Sequence, residues 1–567
     1  MTGGKFCGRN QTYHIYFYAR LDQGFTATVD GNKAALSFKS SQKSISEAFT
    51  VSMSVGLSYV SVDNAQENLQ QESANLTFDT AKANAAATWN KRLNAIQVAG
   101  GSDTDRQKFY TALYHAFLAP SVFSDVNGEY LGFDGSIQNA GTNRIQYTTF
   151  SSWDIYRSLI PLRALLYPQE VGDMMQSLVN DANQCGGTFP KWIEGNTNIN
   201  VMPGDSVPII IAQSYLYGAT GFDAKSALDV MQNTQNGSAV ACKNVATAPG
   251  LSDYHTLGYL PINDPNIKIG TQTAGFADSG GGETSTTLEY AATDFAVSRF
   301  AQQLGVSDAA QKALGYSKNW QNLINPAATT VNGQAFAQLQ SRNLNGTWVP
   351  YASGIVQHTG YIEGNAEQYT WMVPFNIGGL LTTLGGDQAV INRLDKFTQY
   401  LNSGAESPYL YIGNEPSFAT PWIYNWTSQP AKTQALVHRI YEEQFAATPS
   451  GLPGNDDEGA MSGWLVWASL GLYPEIPAVP GFTLTSPVFT HAAIRLGNGA
   501  TLTIDADGPQ NTYIQSVSVN GSSYNSTWLP LNAIKNGGSV KFALVNAATG
   551  WGGQVSGPNA APSFAAP

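Results

Sequence analysis

Cysteine is scarce in this chain: three in 567 residues, at Cys7, Cys185 and Cys242. They allow one disulfide at most, and Cys185–Cys242 is the expected pair. Charge is thin as well, with 12% Asp, Glu, Lys and Arg, and the 29 basic residues are outnumbered by 41 acidic ones. A net charge of −12 excludes nucleic acid as a partner, because phosphate binding needs clustered Lys and Arg. No apolar run reaches the roughly 18 residues of a membrane span, so no membrane partner is expected. The start, Met1-Thr-Gly-Gly-Lys-Phe-Cys7, lacks the apolar stretch of a secretory signal. Seven Asn-x-Ser/Thr sequons nevertheless occur, at Asn10, Asn75, Asn236, Asn345, Asn425, Asn520 and Asn525. They tilt the expectation toward a secreted or extracellular protein whose signal has been removed by a cut at the N-terminus.

What is present is the composition of a folded protein, 43% hydrophobic and 11% aromatic. The length calls for two or three domains. From residue 12 to about 62 the apolar residues alternate, as in Tyr13-His-Ile-Tyr-Phe-Tyr18, and Asp30-Gly-Asn-Lys33 marks a hairpin turn. This reads as part of a β-sandwich with too few strands to be complete. Trp89, Leu93 and Ile96 suit a linking helix. Helical periodicity then recurs to about residue 475, over Trp153 to Leu166, Val171 to Ala182, Ile209 to Tyr217, Thr287 to Leu304, Trp371 to Thr383 and Thr433 to Gln444. Strands return after Pro474, with Asn498-Gly and Asn520-Gly as hairpin turns. The expected fold class is a multi-domain α and β protein. It comprises a shortened N-terminal β-sandwich (1–78), a linker helix region (79–103), an (α/α)6 helical toroid (104–478) and a C-terminal β-rich domain (479–567).

Five loops carry unusual polar density. Gly451-Leu-Pro-Gly-Asn-Asp-Asp-Glu458 packs three carboxylates into four residues ahead of a helix. One of them can serve as a helix cap, but a cap needs only one. In Phe150-Ser-Ser-Trp-Asp-Ile-Tyr-Arg157, Asp154 is either a cap or a sugar contact, and Trp153 offers a face for a pyranose ring. Lys191, Trp192 and Asp205 lie on a long loop where they could orient hydroxyl groups. Tyr361-Ile-Glu-Gly-Asn-Ala-Glu-Gln368 enters a helix, with Glu363 next to Gly364, where backbone can approach a ligand closely. Glu415, before Pro416, is expected to be extended, on a loop. No zinc, Walker or nucleophile-elbow motif appears. Carboxylates, amides and tryptophans on the loops of a helical toroid suit glycoside chemistry.

These stretches resemble glycoside hydrolase family 92. The likeness runs through Phe109-Tyr-Thr-Ala-Leu-Tyr-His-Ala116, Ser152-Trp-Asp-Ile-Tyr-Arg-Ser158, Ser285-Thr-Thr-Leu-Glu-Tyr290, Glu363-Gly-Asn-Ala-x-Gln-Tyr369, Gly413-Asn-Glu-Pro416 and Gly451-Leu-Pro-Gly-Asn-Asp-Asp-x-Gly-x-Met-Ser462. The resemblance implies a calcium-dependent, exo-acting, inverting α-mannosidase acting on a mannose-containing oligosaccharide or glycoprotein glycan. It gives Glu363 the role of general acid and Asp457 that of general base, with Asn455 or Asp456 in support. Asn365 and Glu415 are the expected Ca²⁺ ligands, resting on chemistry and loop position. Trp153, Asp154, Lys191, Trp192, Asp205, Gln368, Asn414 and Glu415 are the expected substrate contacts. Three positions depart from the family pattern: Glu367 and Asn376, where the support of Glu363 or the leaving-group side could change, and Asn414, where α-1,2-specific members often have His. The alternatives are a catalytically inactive or truncated carbohydrate-binding protein and another (α/α)6 glycosidase.

Overall fold

The computed structural model describes residues 2–4, 12–39, 49–73, 75–199, 201–236, 247–262, 264, 267, 282–331, 334–350 and 359–564. Among these, the N-terminal strands pair two by two. Tyr16–Leu21 runs antiparallel to Met53–Ser58, and Phe25–Asp30 turns at Gly31 into Lys33–Phe38. The helix Val62–Glu72 lies against the first pair so closely that a Cβ on Gly56 would sit 1.9 Å from the Ala65 carbonyl oxygen.

The helical region sorts into two classes by burial, which is what a toroid of inner and outer helices requires. Val207–Leu216, Glu283–Gln303 and Ala460–Leu470 are buried almost all round. Pro168–Gln184, Ala224–Gln235, Ser307–Tyr316 and Asp387–Phe397 bury one stripe each, for example Val171, Met174, Met175, Leu178 and Ala182. The molecule is therefore an (α/α)6 toroid flanked by an N-terminal strand-rich region and a C-terminal sheet.

Two expected helices are broken, each for a local reason. Trp153 to Leu166 splits into Ser152–Ile155 and Leu159–Leu166. Trp371 to Thr383 is interrupted at Pro374, which opens a 3-10 turn before the helix Ile377–Thr383, capped by the Asn376 side chain. A hairpin, Ile324–Val331 with Gln334–Leu339, sits inside the helical region and has no counterpart in the sequence reading.

The C-terminal sheet runs Ser522–Tyr524, Tyr513–Val519, Gly538–Val545, Thr501–Asp507, His491–Arg495, Ile96–Ala99. Its edge strand comes from the stretch read as a linking helix. That helix, Phe78–Leu93, ends at Asn94, and the β-branched Ile96 and Val98 pair with His491–Arg495 instead. The Asn520-Gly521 turn falls where expected, with Val519 opposite Ser522. One sequon is closed off: Asn425 is buried and its amide donates to Thr483 Oγ1 and the Leu484 carbonyl. Cys185 is disulfide-bonded, and Cys7 and Cys242 lie outside the described residues. No helix of the described residues is long and apolar enough to cross a membrane.

Candidate active site

The acidic loop divides its carboxylates between scaffold and site. Asp456 Oδ1 accepts the Ser462 N–H at 2.9 Å, satisfying a first-turn donor of the helix Ala460–Leu470, while Oδ2 lies 3.4 Å from His115 Nδ1. Asn455 is exposed. The chain then reverses through three consecutive left-handed residues, Asp457 (φ 45°), Glu458 (φ 58°) and Gly459 (φ 92°). Such backbone is unfavourable for residues with a Cβ and persists only where its surroundings fix it. Here the fixing is visible. Asn402 accepts the Gly413 N–H and donates to the Pro453 carbonyl, and a Cβ on Gly454 would lie 2.0 Å from the Gly413 carbonyl oxygen. The acidic loop and the Gly413-Asn-Glu-Pro416 loop are thus joined backbone to backbone.

This junction places Asp457 with Asp154 and Glu415: one carboxylate oxygen from each lies within 4.8 Å of the others. Asp154 does not cap a helix. It sits inside the short helix Ser152–Ile155 with its carboxyl turned to the cluster, and its Oδ2 has no hydrogen-bond partner. Glu415 is not extended on a loop as expected. It opens a 3-10 turn, Glu415–Ser417, whose second residue, Pro416, lacks only an N–H that the start of a helical turn leaves unused. Both Glu415 oxygens are buried without a partner. Burial and mutual repulsion push the Asp154 and Glu415 carboxyls well above the usual range, and burial with the neighbouring Asp456 raises Asp457 to about 6.

Glu363 approaches from the facing loop, also in left-handed backbone (φ 52°). The inner helix Glu283–Gln303 fixes this loop: its Thr284 and Ser285 N–H groups donate to the Gly360 carbonyl, and Ser285 Oγ accepts the Ile362 N–H. Tyr369 Oη donates to the Ile362 carbonyl at 2.6 Å. Gly364 is needed for this packing more than for a ligand, since a Cβ there would lie 2.9 Å from the Tyr369 ring. Burial, followed by the charge on Asp457, raises Glu363 to about 7, against the opposing hydrogen bond from Asn414. Asn414 also donates to the Glu363 carbonyl at 2.8 Å, which ties the two loops together.

The same inner helix supports the Trp153-Asp154 turn through Glu289, which carries no exposed surface. Its carboxylate accepts from Trp153 Nε1 at 2.7 Å, Arg157 Nη2 at 2.7 Å and Tyr156 Oη at 3.3 Å. Glu289 and Arg157 were not among the expected site residues. The signal was the place of both in stretches that carry the resemblance, Ser285-Thr-Thr-Leu-Glu-Tyr290 and Ser152-Trp-Asp-Ile-Tyr-Arg-Ser158.

Several expected contacts are diverted. Trp153 is 1% exposed, with its ring under the Arg157 guanidinium, so it is a wall and not an open platform. Asn365 leaves the metal set: its carbonyl accepts the Glu367 and Gln368 N–H groups as a helix cap and its amide donates to Ala405 and Ser407. Gln368 donates to the carbonyls of Gly404, Ser407 and Tyr409, bracing a loop. Lys191 donates to the Met202 carbonyl and is buried beside Asp205, whose carboxyl rises to about 7 by burial. Those two residues form a buried group of their own. Trp192 lies on a strand paired with Phe150–Ser151, the segment that leads into the Trp153-Asp154 turn. Glu367 and Asn376 act structurally, Glu367 in an ion pair with Arg393 at 3.0 Å and Asn376 in a hydrogen bond with Ser563.

The Glycosyl hydrolase family 92 catalytic domain matches residues 64–546. A protein named as an uncharacterized secreted glycosidase of Arthroderma benhamiae is 26% identical over 536 residues, 88% of this chain and 61% of that protein. This chain thus spans less than two thirds of that curated relative's length. The family GH92 α-mannosidase BT3965 of Bacteroides thetaiotaomicron has a similar structure, with a TM-score of 0.84 at 26% identity, covering 98% of this chain and 72% of that one. Its complex with mannoimidazole is equally similar, at a TM-score of 0.84. The family GH92 inverting mannosidase BT2199 of the same bacterium shares the fold, with a TM-score of 0.83 at 24% identity over 96% of this chain and 75% of that one. With the family's catalytic domain matched from residue 64 to 546, the chain belongs to glycosyl hydrolase family 92.

Proposed function

We propose that this chain is an exo-acting α-mannosidase that hydrolyses terminal α-linked mannose with inversion, with Glu363 as general acid and Asp457 as general base. The observation that carries the reading is the pairing of two carboxyls on facing loops, with Glu363 at about 7 and Asp457 at about 6. A group that starts protonated near neutral pH can give its proton to the glycosidic oxygen as the C1–O bond breaks. The lower-pKa partner takes a proton from the water that attacks C1 from the opposite face. Inversion needs the two carboxyls roughly 6.5–9.5 Å apart so that this water fits. The mannoimidazole complex of BT3965 supports mannose as the recognised sugar, and the secreted relative supports an extracellular setting.

Calcium is part of the proposal. Asp154, Glu415 and Asp457 offer converging oxygens, several of them buried without partners, and a hard divalent cation satisfies such a set. Asp154, Glu415 and Asp457 would hold the Ca²⁺, which would supply a Lewis acid able to draw on sugar hydroxyls. In this reading one Asp457 oxygen would face the cation and the other the attacking water. Arg157, held by Glu289, is the buried positive charge facing this acidic group.

The test is mannose release from α-1,2-, α-1,3-, α-1,4- and α-1,6-linked mannobiosides, with Ca²⁺ and with EDTA, the product anomer read by NMR. Calcium-dependent release of β-mannose is expected from at least one. Binding without release from any of them, in folded protein, would leave a carbohydrate-binding protein instead.

A further inference from the structure

The two ends of the toroid differ in chemistry. The carboxylate cluster lies where the helices Glu283–Gln303 and Ala460–Leu470 begin, since Thr284, Ser285 and Ser462 in their first turns hold the loops of the site. Where Leu159–Leu166, Val207–Leu216 and Glu283–Gln303 finish, a cavity of about 890 Å³ opens against the C-terminal domain. Gln303, on its wall, follows Ser285 by eighteen residues of one helix. At 1.5 Å per residue that is about 27 Å. The cavity is therefore a separate place, at the opposite end of the toroid from the proposed chemistry.

Its wall suits a sugar chain. Tyr215, Tyr524 and Trp528 bring aromatic rings to it, and the exposed Asn532 and Asn536 bring amides that both give and take hydrogen bonds. Tyr215 is half-buried and set in place by Phe222 at 6.0 Å and Phe300 at 5.3 Å, both nearly perpendicular to it. The volume falls in the range of ligand pockets and has room for several sugar rings.

Charge decides which sugars. Three helix C-termini face the cavity, and their partial negative charge disfavours an anion. Arg299 and Lys535 are the charged side chains of the wall, and no carboxylate lines it. Arg299 is engaged already, its Nη1 donating to Gln302 Oε1 at 2.9 Å and its guanidinium lying over the Phe564 ring. The two cations offset the helix ends and leave a wall that favours neither sign.

We propose that this cavity is a second, non-catalytic site for a neutral oligosaccharide, by which the enzyme stays on a polymeric glycan while the other end of the toroid removes terminal sugars. That the glycan is an α-mannan rests on the mannosidase reading above. Two attachments on one polymer act at high effective concentration, whereas a disaccharide is too short to reach both. The gain belongs to the polymer alone.

Wild type, Tyr215→Ala and the double variant Asn532→Ala/Asn536→Ala are compared by electrophoresis through gels holding α-mannan or a polyuronate, and by mannose release from mannan and from the best mannobioside. The double variant changes exposed side chains only, so it guards against misfolding of Tyr215→Ala. Both variants should bind mannan about tenfold more weakly and lose a similar factor in kcat/KM on it, while staying within about twofold of wild type on the mannobioside. The polyuronate should retard none of them. Equal binding of mannan by all three proteins, a matching loss on the mannobioside, or stronger retardation by the polyuronate overturns the second site and leaves the mannosidase reading intact. No mannose release from any substrate overturns the mannosidase reading instead. Mannan binding that weakens in both variants would then still uphold the sugar site, and binding that does not would overturn it too.

Discussion

At the scale of single residues, function depends on which carboxyl carries a proton. In the proposed mechanism Glu363 starts protonated and Asp457 starts ionised, so with values of about 7 and about 6 in the metal-free fold the rate should follow a bell. Activity falls above pH 7 as Glu363 loses its proton and falls on the acid side as Asp457 takes one up, at a pH that bound Ca²⁺ moves below the metal-free value of about 6, with the two limbs belonging to the pair. Glu363→Gln should lower kcat about 10²- to 10⁴-fold. It should also remove the alkaline limb; a pH–rate series on both proteins reads this, and an unmoved alkaline limb assigns the acid elsewhere. Glu363, Asp457 and Glu415, which the fold brings near one another, were legible as candidates because acids crowd into loops of a chain with little charge. Asn365, Gln368 and Lys191 were misread for a physical reason. A polar residue that braces a loop and one that faces a ligand have the same composition and spacing, and only the partner distinguishes them.

At the scale of elements, the inner helix Glu283–Gln303 organises the site. Its first turn holds the Glu363 loop, and Glu289, within its second turn, holds the Trp153–Arg157 turn. Glu289→Gln would leave the Arg157 guanidinium buried without its carboxylate, a change that costs about 3–5 kcal/mol in comparable cases. The double variant Glu289→Gln/Arg157→Met should recover part of that loss, since it removes the stranded charge as well. Chemical denaturation of the two single variants and the double variant measures the coupling. Additive losses would mean that the pair is not energetically linked. The helix itself was readable from its apolar period, but its function was not. That depends on the loops packed against its first two turns, which lie far away in sequence. The hairpin Ile324–Leu339 was missed for the same reason: its pairing is settled by neighbours, not by its own residues.

At the scale of the whole molecule, buried acids make stability depend on pH. Asp205, Glu283 and Asp294 sit far from the proposed cation ligands in sequence, and burial raises each to about 7. A carboxyl whose folded pKa exceeds its unfolded value near 4 stabilises the fold while it is protonated. That contribution is whole below about pH 4, declines above it and is gone once the pH has passed about 7. Tm should therefore drop between pH 5.5 and pH 8 in the presence of EDTA. Ca²⁺ should act in the opposite sense, because protons compete for Asp154, Glu415 and Asp457 and the cation binds best when they are ionised. The gain in Tm on adding Ca²⁺ should be larger at pH 8 than at pH 5.5, and Glu415→Gln should abolish most of it. Differential scanning calorimetry of both proteins at the two pH values, with Ca²⁺ and with EDTA, measures this without any substrate. A calcium gain that survives Glu415→Gln would place the cation away from the Asp154, Glu415 and Asp457 group. A Tm that rises from pH 5.5 to 8 in EDTA would mean that the buried acids are already ionised in the fold, and with them Glu363 would lose its claim to be a protonated acid at neutral pH.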